Sequence, residues 1–346
     1  MRNPIKIGIV GAGNVGRTLA VILSANGYYV EAVTGKSPHN IQIDNYTAYE
    51  ITGDFGNKQY LVRVIADIVD LSQDLDIIFV CTKIFDAVSM LKVLREKIKP
   101  TGAIVTIQNM FWIDRVASLV DPNNMVCMHL DFSCKTVGKK TYIKNSDGIK
   151  LGVVRKEAFD KLEMVHDVLS NVCRVKDTND IVGLTLGRNI INISISSLGA
   201  ISGLKLKDIL LDRNGRYLFV KIIEEEMSLL NLLNIKVMPY DGKLDYYKFL
   251  ENGISGKIYK RKIMRLLIKN NGNIVSSALR DFEFGRKSEL LVVLNNFIKY
   301  SSFRGLKVPY IRQIYVMLCQ ISKNERRISE DAFYDKNLVK IGEKKW

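Results

Sequence analysis

A doubly wound α/β sheet in the amino-terminal half, followed by a mostly α-helical domain, is the fold class this sequence predicts, and three observations carry it. The segment from Ile5 to Val33 runs strand, glycine turn, helix, strand. Two further buried-strand patterns, LDIIFVCTK at 75–83 and GAIVTIQN at 102–109, flank the helical stretch FDAVSMLKVLREKI. After about residue 178 the strand patterns give way to long helical ones, among them RYLFVKIIEEEMSLLNLLN and SELLVVLNNFIKYSSFRG. The expected organisation is a nucleotide-binding domain over 1–178, a helical substrate domain over 179–330 and a charged tail over 331–346.

The first strand, IKIGIV, leads into GAGNVG, which sets Gly11, Gly13 and Gly16 in G-x-G-x-x-G spacing before a helix that ends ahead of Gly27. Each glycine has a mechanical reason. The first permits the tight turn, the second lets a pyrophosphate approach the backbone, and the third lets helix and strand pack closely. Asn14 and Val15 complete the loop, where the helix start offers unpaired N–H groups and a positive dipole end to phosphates. Placed between two strand patterns, the motif predicts a Rossmann-type dinucleotide site. The second strand ends as AVTGKS, with Thr34, Lys36 and Ser37 where an NAD site places an acid, and Glu31 falls too early; NADPH is therefore the expected cofactor. Ligands of such sheets bind beyond the carboxyl ends of the strands, so Thr82, Lys83, Gln108 and Asn109 are expected to line the crevice. Lys83 capping a solvated strand end is the competing reading. Shorter strand patterns from Asn124 to Val154 are expected to extend the sheet antiparallel, before the helix KEAFDKLEMVHDVLSNV.

In the carboxyl-terminal half, LGRNIINISISS (186–197) fits two periods. As a helix it stacks Arg188, Asn192 and Ser196 along one polar face; as a strand it alternates. In its context the helix is favoured, leading into the second domain with the polar face toward a cleft, since substrate sites favour domain junctions. The stretch at 273–298 sets Asn273, Ser276 and Ser277 ahead of Asp281 and Glu289. Small hydroxyls and amides can grip a carboxylate and a hydroxyl, while Glu289 either caps its helix or faces the cleft.

Composition excludes several classes. With 47% hydrophobic and 25% charged residues the chain is an ordinary globular protein. The net charge of +15 is spread along the sequence with no stacking-aromatic motif, so a basic surface that attracts anionic small molecules is expected rather than nucleic-acid binding. Five cysteines, Cys81, Cys127, Cys134, Cys173 and Cys319, lack C-x-x-C spacing and fit reduced core thiols in a cytoplasm. Three histidines, His39, His129 and His166, form no H-x-x-x-H pair, and no metal site is expected. No uninterrupted apolar run reaches 18 residues, and the first strand pattern starts near Ile5, so neither a membrane span nor a signal peptide is expected.

These residues reach a known family. GAGNVG, CTK at 81–83, IQN at 107–109, the R-x-x-x-N pair at 188 and 192, SSALRDFEFGRKSE at 276–289 and GLKVPYIRQIY at 305–315 together resemble a ketopantoate reductase over nearly the whole chain. The resemblance implies NADPH-dependent reduction of 2-dehydropantoate to pantoate, on the way to pantothenate and coenzyme A. It implies that Gly11, Gly13 and Gly16 hold the pyrophosphate, that Lys83 assists with the 2′-phosphate, and that Lys36 substitutes for a family arginine that falls at Gly35. Asn109 then stands beside the nicotinamide ribose, Asn192, Asn273 and Ser277 contact substrate, and Glu289 is the family's active-site acid. Dimers are common in the family, which makes a second copy of the chain a candidate partner.

Three further positions depart from the family: Arg188 stands where it carries the proton-donating lysine, Met110 replaces a glycine, and Ser196 replaces an asparagine. A guanidinium stays protonated and is a poor general acid, but it can polarise a carbonyl or clamp a carboxylate while water supplies the proton. Two other functions are compatible with these residues: an oxidoreductase of another 2-oxo acid or an imine, as in opine-type dehydrogenases, and a non-catalytic NADPH-binding sensor.

Overall fold

The computed structural model describes residues 4–34, 46–107, 121–144 and 147–343, and divides into two compact units, Met1–Ile181 and Val182–Trp346. Lys36, His39, Gln108, Asn109 and Met110 lie outside the described residues.

In the first unit, the strands are β1 (Lys6–Val10), β2 (Tyr29–Val33), β3 (Tyr46–Gly53), β4 (Lys58–Ile65), β5 (Leu75–Val80), β6 (Ile98–Thr106), β7 (Met125–Leu130), β8 (Ser133–Val137), β9 (Lys140–Lys144), β10 (Ile149–Gly152) and β11 (Val175–Asp177). Its helices are α1 (Asn14–Ser24), α2 (Ile84–Lys97) and α3 (Phe159–Ser170). The sheet order is β11-β10-β7-β6-β5-β1-β2-β4-β3-β9-β8. Six central strands, β7, β6, β5, β1, β2 and β4, are mutually parallel, and the chain direction across the sheet reverses between β1 and β5. That reversal is the topological switch point at which open α/β sheets bind ligands.

Alternation along the strands divides the core between two faces. Ile7, Ile9, Ile77, Phe79, Val105 and Val126 are buried in one cluster with Leu19 and Leu23 of α1 and Val165 and Leu169 of α3. The alternate residues Val10, Ile78, Val80 and Ile104 are as fully buried on the other face. Right-handed crossovers run opposite ways across the sheet from β1 and from β5, which puts α1 and α2 on opposite faces.

The expected antiparallel extension over 124–154 needs correcting. β7 continues the parallel core, β10 alone pairs antiparallel with it, and the β8–β9 hairpin joins β3 at the far edge, with Glu50 opposite Lys140. The cause is non-local. β3 and β4 form an antiparallel hairpin that exposes a parallel edge on β3, and β9 fills it.

The second unit is helical: α4 (Ile181–Ser202), α5 (Leu206–Leu211), α6 (Arg213–Leu232), α7 (Tyr246–Leu250), α8 (Gly253–Asn271), α9 (Ser277–Glu283), α10 (Glu289–Phe303), α11 (Pro309–Ser322) and α12 (Lys336–Glu343). Residues 331–343, expected as a charged tail, are folded. Ala332, Phe333 and Leu338 are buried, and Arg326 pairs with Asp335 at 3.0 Å. The apolar residues of that short stretch outweigh its charges once they find a core to enter.

α4 is long and apolar enough to cross a bilayer by length and composition, but 61% of its most apolar window is buried within the protein, the pattern of a core helix. α6 carries two adjacent glutamates with opposite fates. Glu225 accepts hydrogen bonds from the Tyr310 and Ile311 amides at 2.9 and 2.8 Å, so its carboxylate caps the α11 start that Val308 and Pro309 leave uncapped. Glu226 is 1% exposed; one oxygen accepts from Ser194 Oγ at 3.4 Å and the other has no hydrogen-bond partner among the described residues.

Burial pushes the Glu226 carboxyl well above the carboxylate range, the Ser194 bond opposing and the Glu225 charge reinforcing. The folded carboxyl therefore keeps its proton to higher pH than the unfolded one. Below about pH 4.3, the unfolded value, both states hold the proton; above it only the unfolded state releases it, so stability declines as pH rises toward the folded value. Glu226→Gln removes that decline. The unfolding free energy of the variant relative to the native chain is expected to grow with pH, by up to ~1.4 kcal/mol per unit. Urea unfolding between pH 4 and pH 8 checks this, and a difference that does not vary with pH contradicts it.

Candidate active site

The glycine loop lies at the switch point, and Gly11 and Gly16 meet the constraints their spacing implied. Gly11 has φ +99° and its amide donates to Val33 O at 3.1 Å; a Cβ there would stand 2.7 Å from the Thr82 side chain. A Cβ on Gly16 would stand 2.1 Å from Gly11 O, so the loop and α1 touch backbone to backbone. Gly13 differs, because a Cβ there would meet nothing within 4 Å. It is the exposed N-cap of α1, with no side-chain cap and no acidic residue in the first turn. Open space above uncapped helix amides fits a pyrophosphate.

Two neighbours of the loop brace it. Asn14 Oδ1 accepts from the Thr136 amide at 3.0 Å, so its side chain is engaged with β8. Arg17 Nε donates to Ala12 O at 2.9 Å, Nη1 donates to Gly138 O at 2.7 Å, and the guanidinium stands 4.8 Å from the centre of the Tyr49 ring. Sequence reasoning missed Arg17. The signal was a cation in the first turn of a helix, where the dipole disfavours it. Val15 is half-buried and packs against the core.

At the end of β2 the Thr34 amide donates to Ile65 O at 3.0 Å, and no acidic residue follows within the described stretch. Glu31 is fully buried and committed elsewhere: it pairs with Arg63 at 3.1 Å and accepts from Ser72 N, Ser72 Oγ and Tyr29 Oη at 2.9, 2.7 and 2.8 Å. Lys83 is the N-cap of α2 at the carboxyl end of β5, and half-buried. Lys36 and Asn109 lie outside the described residues.

In the second unit, residues 186–197 are helix, in the middle of α4. Ile190, Ile191, Ser194, Ser197 and Leu198 are buried, whereas Asn192 is exposed and Arg188 and Ser196 are half-buried. The polar stripe thus lies on the less buried side of a mostly buried helix, where Val182, Leu184, Thr185 and Asn189 are half-buried as well. The Asn273–Ser277 segment is tied to the end of that stripe. Ser276 Oγ donates to Ser196 O at 3.0 Å and accepts from Leu279 N at 3.2 Å, capping α9, and a Cβ on Gly199 would meet the Ser276 side chain at 2.9 Å. Ser276 is therefore structural, and it leaves Asn273 and Ser277 exposed on either side. Glu289 opens α10, half-buried in its first turn, where a carboxylate favours the helix dipole.

Two of the three histidines fall within the described residues, and each faces an aspartate. His166 Nδ1 lies 2.9 Å from Asp177 and His129 Nε2 lies 3.4 Å from Asp131. All five cysteines are free, and burial pushes the Cys81 and Cys127 thiols up to about 12, which makes them inert at neutral pH.

A dinucleotide cradle on a doubly wound sheet, followed by a helical unit with a less buried polar stripe, defines a class: two-part oxidoreductases of the nicotinamide type. Two family models match this chain, ketopantoate reductase PanE/ApbA over residues 7–155 and its carboxyl-terminal partner over residues 180–322. The chain belongs to the ketopantoate reductase family. Comparison with curated proteins gave no match. Among solved structures, a PanE/ApbA family ketopantoate reductase from Ralstonia eutropha JMP134 is 16% identical with a TM-score of 0.77, covering 93% of this chain and 100% of the other. A D-mandelate dehydrogenase solved with NADH and anilino(oxo)acetate is 14% identical with a TM-score of 0.76, covering 92% and 99%. A dimeric ketopantoate reductase from Staphylococcus aureus is 13% identical with a TM-score of 0.68, covering 93% and 100%.

Proposed function

We propose that this protein is an NADPH-dependent reductase of 2-oxo acids whose substrate is 2-dehydropantoate, reduced to pantoate on the way to pantothenate and coenzyme A. The observation that carries the reading is the stripe of Arg188, Asn192 and Ser196 on the less buried side of a mostly buried helix, in a family chain that also has the open Gly13 cradle. Gly11, Gly13, Gly16 and the Asn14 and Val15 amides are assigned to the pyrophosphate, and Lys36 and Lys83 to the 2′-phosphate. Asn109 is assigned to the nicotinamide ribose. The commitment of Glu31 to Arg63 and Ser72 supports NADPH, since that carboxylate is then not available to accept a ribose 2′-hydroxyl.

Reduction adds a hydride to the carbonyl carbon and a proton to its oxygen. Bound reduced nicotinamide supplies the hydride. Arg188 stabilises the negative charge that develops on the oxygen, and a water hydrogen-bonded in the site delivers the proton, because the guanidinium does not release its own. Asn192, Asn273 and Ser277 hold the substrate carboxylate and hydroxyl, and Glu289 orients that polar network. Placement of the reactants and electrostatic stabilisation carry the rate. A homodimer belongs to the same reading, on the fold likeness to the dimeric Staphylococcus aureus enzyme. A cytoplasmic setting fits the free cysteines.

The fold likeness to a D-mandelate dehydrogenase held with NADH favours a second reading, in which NADH reduces a different 2-oxo acid. A panel of 2-oxo acids, with and without amines, assayed by oxidation of NADPH and of NADH, separates the two. The first reading expects the highest kcat/KM with 2-dehydropantoate and NADPH. A bulkier aryl oxo acid with NADH in first place supports the second, turnover that requires an amine marks an imine reductase, and tight nucleotide binding with no turnover marks a sensor.

A further inference from the structure

The turn of α4 that carries Arg188 is built from residues that weaken a helix. Gly183 and Gly187 stand four apart on it, and glycine costs a helix interior stability by leaving the backbone free. That turn is nevertheless held from behind. The Met238 amide donates to Gly183 O at 3.1 Å, and a Cβ on Gly187 would stand 2.2 Å from Met238 O, so the 237–239 segment crosses α4 in direct backbone contact. Tyr246, the first residue of α7 and 1% exposed, donates its hydroxyl to Gly187 O. One buried phenol thus holds the carbonyl of the residue immediately before Arg188.

The tyrosine is itself fixed. Asp245 caps α7 by accepting from the Tyr247 and Lys248 amides at 2.9 and 3.2 Å, and Tyr259 Oη accepts from the Asp245 amide at 3.0 Å. The next residue, Tyr247, accepts from the Val237 amide at 3.2 Å, tying α7 to the segment that crosses Gly187. Glu226, buried on α6, also meets α4, one turn further along, through Ser194. Burying this much polar structure behind a helix is costly unless it fixes something, and what it fixes is the register of the Arg188 turn.

We propose that Tyr246 is a positioning residue for Arg188: its buried hydroxyl holds the Gly187 carbonyl of α4 and thereby sets where the guanidinium stands during reduction of the 2-oxo acid. The proposal rests on the assignment of Arg188 to catalysis. It requires no contact between Tyr246 and substrate or cofactor.

The test is Tyr246→Phe, which keeps the ring in its slot and removes only the hydroxyl, measured with NADPH and 2-dehydropantoate in the native and Arg188→Ala backgrounds. A misplaced catalytic group can cost roughly 100-fold in rate, so kcat in the native background is expected to fall about 10- to 100-fold. The Kd for NADPH, bound by the other unit, stays unchanged. In the Arg188→Ala background the same change costs less than about threefold, because the group being positioned is already gone. Unchanged kcat in the native background, or equal losses in both, overturns the proposal. Amide hydrogen exchange on the native chain supplies a second reading: residues 188–192 are expected to be protected like the core despite the two glycines, and exchange as fast as at the helix ends overturns it too. If the native chain turns over no member of the panel, or Arg188→Ala leaves kcat intact, the functional assignment itself has failed and the proposal falls with it, before Tyr246 is tested.

Discussion

Arg188→Ala is expected to lower kcat on the preferred 2-oxo acid by about 10²- to 10³-fold while leaving the Kd for NADPH within about twofold, since loss of one preorganised donor to a developing oxyanion typically costs that much. The nucleotide cradle and Arg188 belong to different structural units, so the two readouts separate cleanly. Lysine at the same position keeps a cation and adds a group whose pKa burial can bring toward neutrality, so Arg188→Lys is expected to retain or raise activity on 2-dehydropantoate. The pH profile distinguishes the two: the arginine enzyme shows no limb from residue 188, and the lysine variant gains one. Steady-state kinetics with fluorescence titration of NADPH checks the pair. Equal losses in kcat and in nucleotide affinity on alanine substitution would mean that Arg188 supports the fold rather than the chemistry.

A second large effect separates glycines that look equivalent in the motif. At Gly16 a methyl would stand 2.1 Å from Gly11 O, a backbone atom that cannot swing aside, so Gly16→Ala must separate α1 from the loop. It is expected to destabilise the first unit by several kcal/mol, on the order of the larger core overpacking penalties. Gly13→Ala meets no protein atom and has an ordinary negative φ of −80°, so Tm is expected to hold within a few degrees. Its methyl instead occupies the approach of the pyrophosphate, and the Kd for NADPH should rise about 100-fold, the size of a lost close phosphate contact. Thermal unfolding and nucleotide titration on the two variants give opposite patterns. An alanine at Gly13 that binds NADPH as tightly as the native chain removes the cradle from the cofactor site.

Those glycines were legible because their constraint is local: the turn, the helix start and the flanking strands all lie within a short run of sequence. The segment at 186–197 was half-legible. Its polar residues fit a helical stripe and an alternating strand equally well, and what settles it is burial of Ile190, Ile191, Ser194 and Leu198 around a stripe that stays less buried. The β3–β4 hairpin and the pairing of β9 with β3 were not legible. Short-range patterning states that a strand exists but not its partner, and Glu50 meets Lys140 across most of the first unit. The glutamates of α6 left no signal either: Glu225 caps a helix distant in sequence and its neighbour Glu226 lies in the core. Tyr246 left no motif at all, because its role comes from where α7 is held rather than from its neighbours in sequence.

Direct transfer of hydride to a 2-oxo acid is the claim on which the rest depends, and isotope transfer reads it without reference to rate. With NADPH carrying deuterium at C4, prepared separately in each of its two configurations, the hydroxy-acid product is analysed by mass spectrometry. The account predicts one deuterium at C2 of pantoate from one configuration and none from the other. Product without label from either, or nucleotide bound and never oxidised in the presence of any 2-oxo acid, contradicts it.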